Sequence, residues 1–430
     1  MAISNFTRRE LSIELAKHFT PAMPIKSIEK LVGRDELFKK AQDALNSAGR
    51  HLFVHGDRGV GKTSLAQTAA YSVHSSSSDP ILMGCNEQLT FLQFMSDVVN
   101  RSLETVDSKK VSEVEVKLNL GPISTRFKQA VEKNINIEVK SVNAAVRLLH
   151  FVAELHDNKA IIVVDEFDKM PVSERGLFSD LIKQISDQQI GLKFIFCGVA
   201  STLDEFVGFH ESAGRYVFTV HLERLPFDAR KEIVQKAYGK LSVEISESFL
   251  TRIAQISDGF PYFVHLIGEQ IILETYIRIS SQSHLSEVAP EIQVQDSDFD
   301  NGIKASVAAS EAFLQAKYES AIRDGDSSHY ELVLWAAADS PTLSRRISEI
   351  YDSSYLSLCD QFKKQPHRIE RIRHRLGILK NSDSAILRSP RRGWYEFSEN
   401  MMRGYVRMRA LSAGAVLTPD HHIGNRRKAM

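Results

Sequence analysis

Along the first half of the chain, short unbroken apolar runs alternate with segments whose apolar residues recur every three or four positions. The runs are Leu52-Phe53-Val54, Pro80 to Cys85, Ala160-Ile161-Ile162-Val163-Val164, Lys193 to Val199 and Tyr216 to Val220. Apolar runs without polar alternation predict strands covered on both faces of a parallel sheet. Helical spacing predicts helices ending near Asn46, opening at Lys62, and spanning Thr90 to Leu103. Strands alternating with helices predict an α/β domain. After about residue 226 the strand-like runs stop. Phe227 to Gly239, Ser246 to Ser257 and Tyr262 to Leu273 all carry helical spacing.

Residues 108–142 break this rhythm. Val114, Val116, Leu118 and Leu120, then Ile135, Ile137 and Val139, alternate with polar residues around Gly121-Pro122. That period of two predicts a hairpin inserted on the surface of the α/β domain. It reads either as a partner contact or as decoration. Further on, Asp324-Gly325-Asp326-Ser327-Ser328 marks a boundary. The predicted organisation is an N-terminal segment (1–30), an α/β domain (31–225), a helical domain and linker (226–323), a C-terminal domain (324–412) and a flexible basic tail (413–430).

Candidate chemistry enters at Gly56-Asp57-Arg58-Gly59-Val60-Gly61-Lys62-Thr63-Ser64. This G-x-x-x-x-G-K-T run lies between a predicted strand and a predicted helix, the context of a P-loop. Its glycines let several backbone N–H groups point at one anion, and the helix N-terminus adds its dipole. Lys62 is placed to reach the β- and γ-phosphates, and the Thr63 hydroxyl to ligate Mg²⁺. Asp165-Glu166 ends the most apolar run, where open α/β sheets bind ligands. Asp165 is expected to hold Mg²⁺, and Glu166 to orient or deprotonate the attacking water. ATP with Mg²⁺ is the expected ligand pair, and the chain is read as an ATPase. No Asn-Lys-x-Asp or Thr-Lys-x-Asp guanine-reading motif accompanies the P-loop, which argues against a GTPase.

Two further positions are candidates. Ser201 follows the Lys193 to Val199 run and would lie near the γ-phosphate, unless it only opens a helix. Arg215 precedes the Tyr216 to Val220 run. It reads either as a finger completing a neighbouring subunit's site or as a packing residue, with Arg224 a weaker alternative.

Composition adds little except through charge. The 430 residues carry 54 Lys+Arg and 54 Asp+Glu. Residues 331–430 hold 18 basic and 10 acidic residues, so an acidic body precedes a basic C-terminal part. Three distant cysteines form no metal or redox pattern. No apolar run reaches the length of a membrane span and no signal peptide opens the chain, so a cytoplasmic protein without membrane contact is expected.

These residues in this order resemble the AAA+ and STAND-type ATPases grouped with origin initiators and transposition regulators. The resemblance covers Phe19-Thr20-Pro21, Val32-Gly33-Arg34, the P-loop, Asp165-Glu166, Ser201, Arg215 and Gly259-Phe260-Pro261. It implies an AAA+-like P-loop NTPase with a helical lid. It places Val32, Gly33 and Arg34 near the adenine, and Pro261 near the nucleotide. Initiator-type relatives carry an arginine after the lid glycine, and here Phe260 to His265 contain none.

Residues 329–412 resemble a winged helix-turn-helix. Its recognition helix would run from His367 to Leu379, with Arg368, Arg371 and Arg375 on one face. Its wing would span Ala385 to Phe397, with Arg388, Arg391 and Arg392. Those arginines suit phosphates and guanine edges of double-stranded DNA. In STAND relatives the same domain packs on the ATPase body as a regulator. Two functions remain: an ATP-controlled DNA-binding homo-oligomer, or a signalling switch, as in bacterial defence, that recruits a separate effector protein.

Overall fold

The computed structural model describes residues 3–74, 79–104, 137–208, 213–282, 292–323, 327–381 and 385–418. Most of the hairpin expected at 108–142 and the last part of the tail lie outside these residues. Contacts divide the chain into two compact units. One holds Pro24–Asp57 and Gly61–Glu223; the other holds Met1–Met23, Arg58–Val60 and Arg224–Met430.

The first unit is an α/β domain around a five-stranded parallel sheet. Its elements are α2 (Asp35–Asn46), β1 (His51–His55), α3 (Lys62–Val73), β2 (Ile81–Gly84), α4 (Phe91–Glu104), α5 (Val142–Leu155), β3 (Ala160–Asp165), α6 (Val172–Asp187), β4 (Leu192–Gly198), α7 (Ala200–Gly208), α8 (Ala213–Tyr216) and β5 (Val217–His221). α1 (Arg8–His18) belongs to the other unit. The strand order is β2-β3-β4-β1-β5. Every pairing in this sheet is parallel, so each link between neighbours needs a crossover, which the helices supply.

The register explains the missing polar alternation. The first five residues of β3 are all buried, and only Asp165 reaches the edge. Below it, the rings of Phe53, Phe167, Phe196 and Phe206 pack with centroids 4.9–6.2 Å apart. This apolar block fixes the strand ends that carry the chemistry.

The second unit is mainly helical. It contains α9 (Phe227–Lys240), α10 (Glu247–Ile256), α11 (Pro261–Gln282), α12 (Asp296–Ala308), α13 (Ala312–Ile322) and α14 (Ser327–Ala338), with β6 (Val243–Glu244) pairing parallel to β7 (Ile292–Gln293). Then come β8 (Ser344–Arg346), a helical stretch α15 over 347–361, α16 (Ile369–Asn381), β9 (Leu387–Arg388), β10 (Trp394–Phe397) and α17 (Asn400–Ser412). β10 lies between β8 and β9 in an antiparallel sheet.

The unit boundaries differ from the sequence expectation in three ways. Residues 1–23 group with the helical unit because Phe19 is buried there, edge-on to Tyr238 and His265 and close against Gly268. Residues 226–323 and the C-terminal elements form one unit, not two. The tail expected from Ala413 begins as fixed chain. Ala415 is buried, Val416 exchanges hydrogen bonds with Gln361, and the Thr418 N–H donates to Asp339.

A buried ion cluster joins three segments of this second unit. The Asp258 carboxylate, fully buried, accepts from Arg403 of α17 (2.8 Å to Nε) and from Arg224 (2.7 Å). Arg403 also donates to the carbonyls of Ser340 and Thr342. Burial pushes the Asp258 pKa up, but Arg403 and Arg224 outweigh it and hold the carboxyl below the ordinary aspartate range. Arg224, the weaker finger candidate, is committed to this cluster.

Candidate functional site

Gly59 and Gly61 adopt φ of +80° and +98°, which side chains rarely tolerate. Gly59 is constrained further. A Cβ there would sit 2.9 Å from Met401 Sδ, within the second unit. Gly61 caps α3 without a side-chain hydrogen bond, leaving the first N–H groups of a twelve-residue helix to face an anion.

Lys62 donates to the Gly56 carbonyl (3.0 Å) and the Asp57 carbonyl (2.8 Å), so its ammonium lies across the loop. Burial pulls its pKa below the ordinary lysine range, opposed by the carboxylates of Asp168, Asp165 and Asp57. The Thr63 hydroxyl donates to Asp165 Oδ2 at 2.8 Å, across 102 positions of sequence. The strand order explains this meeting: β1 and β3 both end at the same sheet edge, with β4 between them. Asp165 Oδ1 also accepts the Glu166 N–H. This fits a cation held by one hydroxyl and one carboxylate beside a phosphate loop.

Glu166 has φ +52°, and its carboxylate pairs with Lys169 at 2.8 Å, half exposed. Ser201 is exposed in the first turn of α7, while Thr202 is buried. Ser64 Oγ accepts the Ile25 N–H, and the Thr68 hydroxyl donates to the Ile25 carbonyl, so the segment before the Val32-Gly33-Arg34 box docks on α3. Gly33 has φ +72°, and buried Arg34 donates to the Glu223 carbonyl at 2.5 Å, tying the box to the chain after β5. Arg58 and Val60 are assigned to the second unit, where the Arg58 guanidinium lies over Phe313. Pro261, in that unit, opens α11 directly after Gly259 and Phe260.

Arg215 is exposed just before β5. The register pairs Val217 with His51 at the start of β1, whereas the P-loop follows the end of β1. Arg215 therefore stands at the sheet edge opposite the P-loop.

Sequence reading missed two groups near the phosphate loop. Asp168, returned by the turn Phe167–Lys169, adds a third carboxylate acting on Lys62. The Asp165-Glu166-Phe167-Asp168 spacing was its signal. His55 and His221 end paired strands with rings stacked 4.9 Å apart. Burial first, then His221, lowers the His55 pKa, so the imidazole is neutral at pH 7. Only the strand pairing brings these two together. Burial also raises Cys85, to about 12, and Cys197, keeping both as inert thiols.

In the C-terminal part, Arg368, Arg371, Arg391 and Arg392 are exposed. Arg391 lies 3.7 Å over Trp394, and Arg388 pairs with Glu396 at 2.7 Å. Arg375 departs from its expected role as a DNA contact. It is buried, bonded to His367 (2.7 Å) and placed over Tyr330, because its helical position faces the core beside Leu376. Arg346, Lys363, Lys364 and Arg373 are exposed cations that the sequence reading did not single out. Among the described residues no helix is long and apolar enough to cross a membrane.

Residues 30–195 match the family described as the AAA ATPase domain. Among solved structures, the Walker-type ATPase of Pyrococcus abyssi is 18% identical, with a TM-score of 0.51, covering 90% of this chain and 99% of its own. The ORC2 protein of Aeropyrum pernix, solved as ADPNP–ADP complexes, is 12% identical with a TM-score of 0.47, covering 93% and 98%. The RuvB Holliday junction branch migration motor of Thermotoga maritima is 12% identical with a TM-score of 0.43, covering 91% and 98%. At 18% identity the likeness to the Pyrococcus abyssi ATPase is one of fold. No curated protein matches the chain. The resemblance to AAA-type P-loop ATPases is borne out by the match over residues 30–195.

Proposed function

We propose that this AAA ATPase domain binds ATP with Mg²⁺, hydrolyses it slowly in the cytoplasm, and uses the nucleotide state to control DNA binding by a homo-oligomer. The observation that carries the ATPase reading is the Thr63–Asp165 hydrogen bond beside the phosphate loop. Mg²⁺ held by Thr63 and Asp165 would neutralise charge on the phosphates. Lys62 and the N–H groups of α3 bind the triphosphate. Glu166 orients and deprotonates water after leaving Lys169, and Ser201 contacts the γ-phosphate. Val32, Gly33 and Arg34 border the base, and Pro261 follows the lid.

Replacing Glu166 with Gln should leave ATP binding within about twofold and lower turnover by about 10²–10⁴. Equilibrium binding and single-turnover hydrolysis check this, and unchanged turnover would remove Glu166 from the mechanism. Arg215, facing away from its own P-loop, suits a neighbour's site. This supports a shared site in an oligomer.

DNA binding is supported by the antiparallel sheet with α14, α15 and α16, whose chain order α14-β8-α15-α16-β9-β10 is that of a winged helix, and by the exposed Arg368, Arg371, Arg391 and Arg392. Charge reversal at Arg371 and Arg391 should weaken duplex affinity and flatten its salt dependence, by about one unit of log–log slope for each phosphate left without its arginine. Fluorescence anisotropy across salt concentrations measures both, and an unchanged slope would refute this surface.

A second reading is favoured by the Arg403–Asp258 pair. Here α17 packs on the lid as a regulator, and an effector protein replaces DNA as partner. Turnover indifferent to duplex DNA would select it.

A further inference from the structure

At the N-terminal edge of the parallel sheet, away from the P-loop, a cavity of about 830 Å³ opens among the turns that precede β1, β3, β4 and β5. Four of its lining side chains are cations: Arg50, Lys159, Lys193 and Arg215. Among the described residues no carboxylate lines it. Asp187, which accepts the hydroxyl of the lining residue Tyr216 at 2.6 Å, is not itself part of the wall.

Lys193 makes the arrangement unusual. It sits on β4, half buried, and its ammonium donates to the Ser47 carbonyl. An ammonium carries three donors, so a single carbonyl leaves it incompletely satisfied. Burial alone moves its pKa down, and no carboxylate contributes an opposing pull. A half-buried cation without a counter-charge is costly, and three like charges around the same concavity raise the cost and focus a positive potential into it. An anion would offset that cost. The volume falls in the range of small-molecule sites. Guanidinium and ammonium groups together suit the several oxygens of phosphate groups better than one carboxylate.

We propose that this cavity is a second phosphate-binding site, separate from the P-loop, which takes a phosphate-bearing ligand through Arg50, Lys159 and Lys193. The ligand is either a free polyphosphate or the backbone of a nucleic acid; the recognition chemistry is the same. The site does not depend on the ATPase reading, nor on any role of Arg215 at a neighbouring subunit.

The test titrates pyrophosphate calorimetrically, in magnesium-free buffer, into the full chain carrying Lys62→Ala so that the P-loop is weakened. One pyrophosphate per chain should bind. Adding Lys193→Gln should weaken it by at least about tenfold. The double change Arg50→Gln with Lys159→Gln lies on exposed turns and should do the same, even if Lys193→Gln impairs folding. Absence of stoichiometric binding in Lys62→Ala protein, or an affinity within about twofold in the exposed double variant, would overturn the proposal. Where pyrophosphate binds, its displacement by a short duplex assigns the site to a nucleic-acid backbone. Failure of the duplex to compete assigns it to a free polyphosphate.

Discussion

Replacing Lys62 with alanine should lower ATP affinity by about 30-fold or more, the equivalent of roughly 2–5 kcal/mol for removing one partner of a desolvated charge pair. The ammonium is already partly buried at the loop, where it donates to the carbonyls of Gly56 and Asp57. A phosphate offers charge-assisted bonds that those neutral carbonyls cannot match. The fold should survive, because those carbonyls lie at a loop where water can replace the ammonium. The expected result is a protein with an unchanged far-ultraviolet dichroism spectrum and weak nucleotide binding. Tight binding retained in that variant would mean that the loop is not the nucleotide site. Thr63 gives an independent reading. Thr63→Ala removes the donor to Asp165 without touching Lys62, so it should affect magnesium-dependent turnover more than binding.

The second large effect concerns stability. Removing Asp258 by mutation to alanine leaves the guanidinium groups of Arg403 and Arg224 without their carboxylate, one of them fully buried. Breaking a buried pair on one side costs about 3–5 kcal/mol. In a unit of this size that lowers Tm by about 6–20 °C. Combining Asp258→Asn with Arg403→Met should recover part of the loss, since the fully buried guanidinium is removed, while Arg224, partly exposed, keeps its hydrogen bond to the backbone carbonyl of residue 258. A double variant as unstable as Asp258→Ala would show that the packing around Gly404 and Phe263, not the charge, dominates.

The pH dependence has a definite sign. The folded-state pKa of Asp258 is depressed, so its contribution is fully present above the ordinary value of 3.8 and is lost as pH falls below it. Thermal melts from pH 7 down to pH 3 should show this loss in the native chain and not in the double variant. The cluster also bears on the switch. It joins the segment Ser257 to Pro261 with α17, so under the proposed function a movement of that segment would carry α17 with it.

The phosphate loop, the acidic strand end and the parallel sheet were legible in the sequence because each is local. Glycines at fixed spacing set the backbone of 56–63, and five consecutive apolar residues cannot lie on a half-solvated strand. The basic character of the C-terminal part was legible from composition alone. Other features depended on which residues the fold brings together. Arg375 has the helical spacing of a surface cation, yet its turn of α16 faces Tyr330 and His367, and sequence spacing does not say which face is covered. Asp258, in a loop with φ +51°, gives no local hint of a partner 145 positions away. Lys193 opens an apolar run in the sequence, which does not show that the turns before β1, β3 and β5 close around it. The backbone of the glycine-rich loop and the class of fold follow from the amino-acid order alone, because local conformation and periodic burial set them. Which charges are paired, which are buried and which face outward rests on the folded arrangement, because electrostatic partnership is set by distance in space and by desolvation.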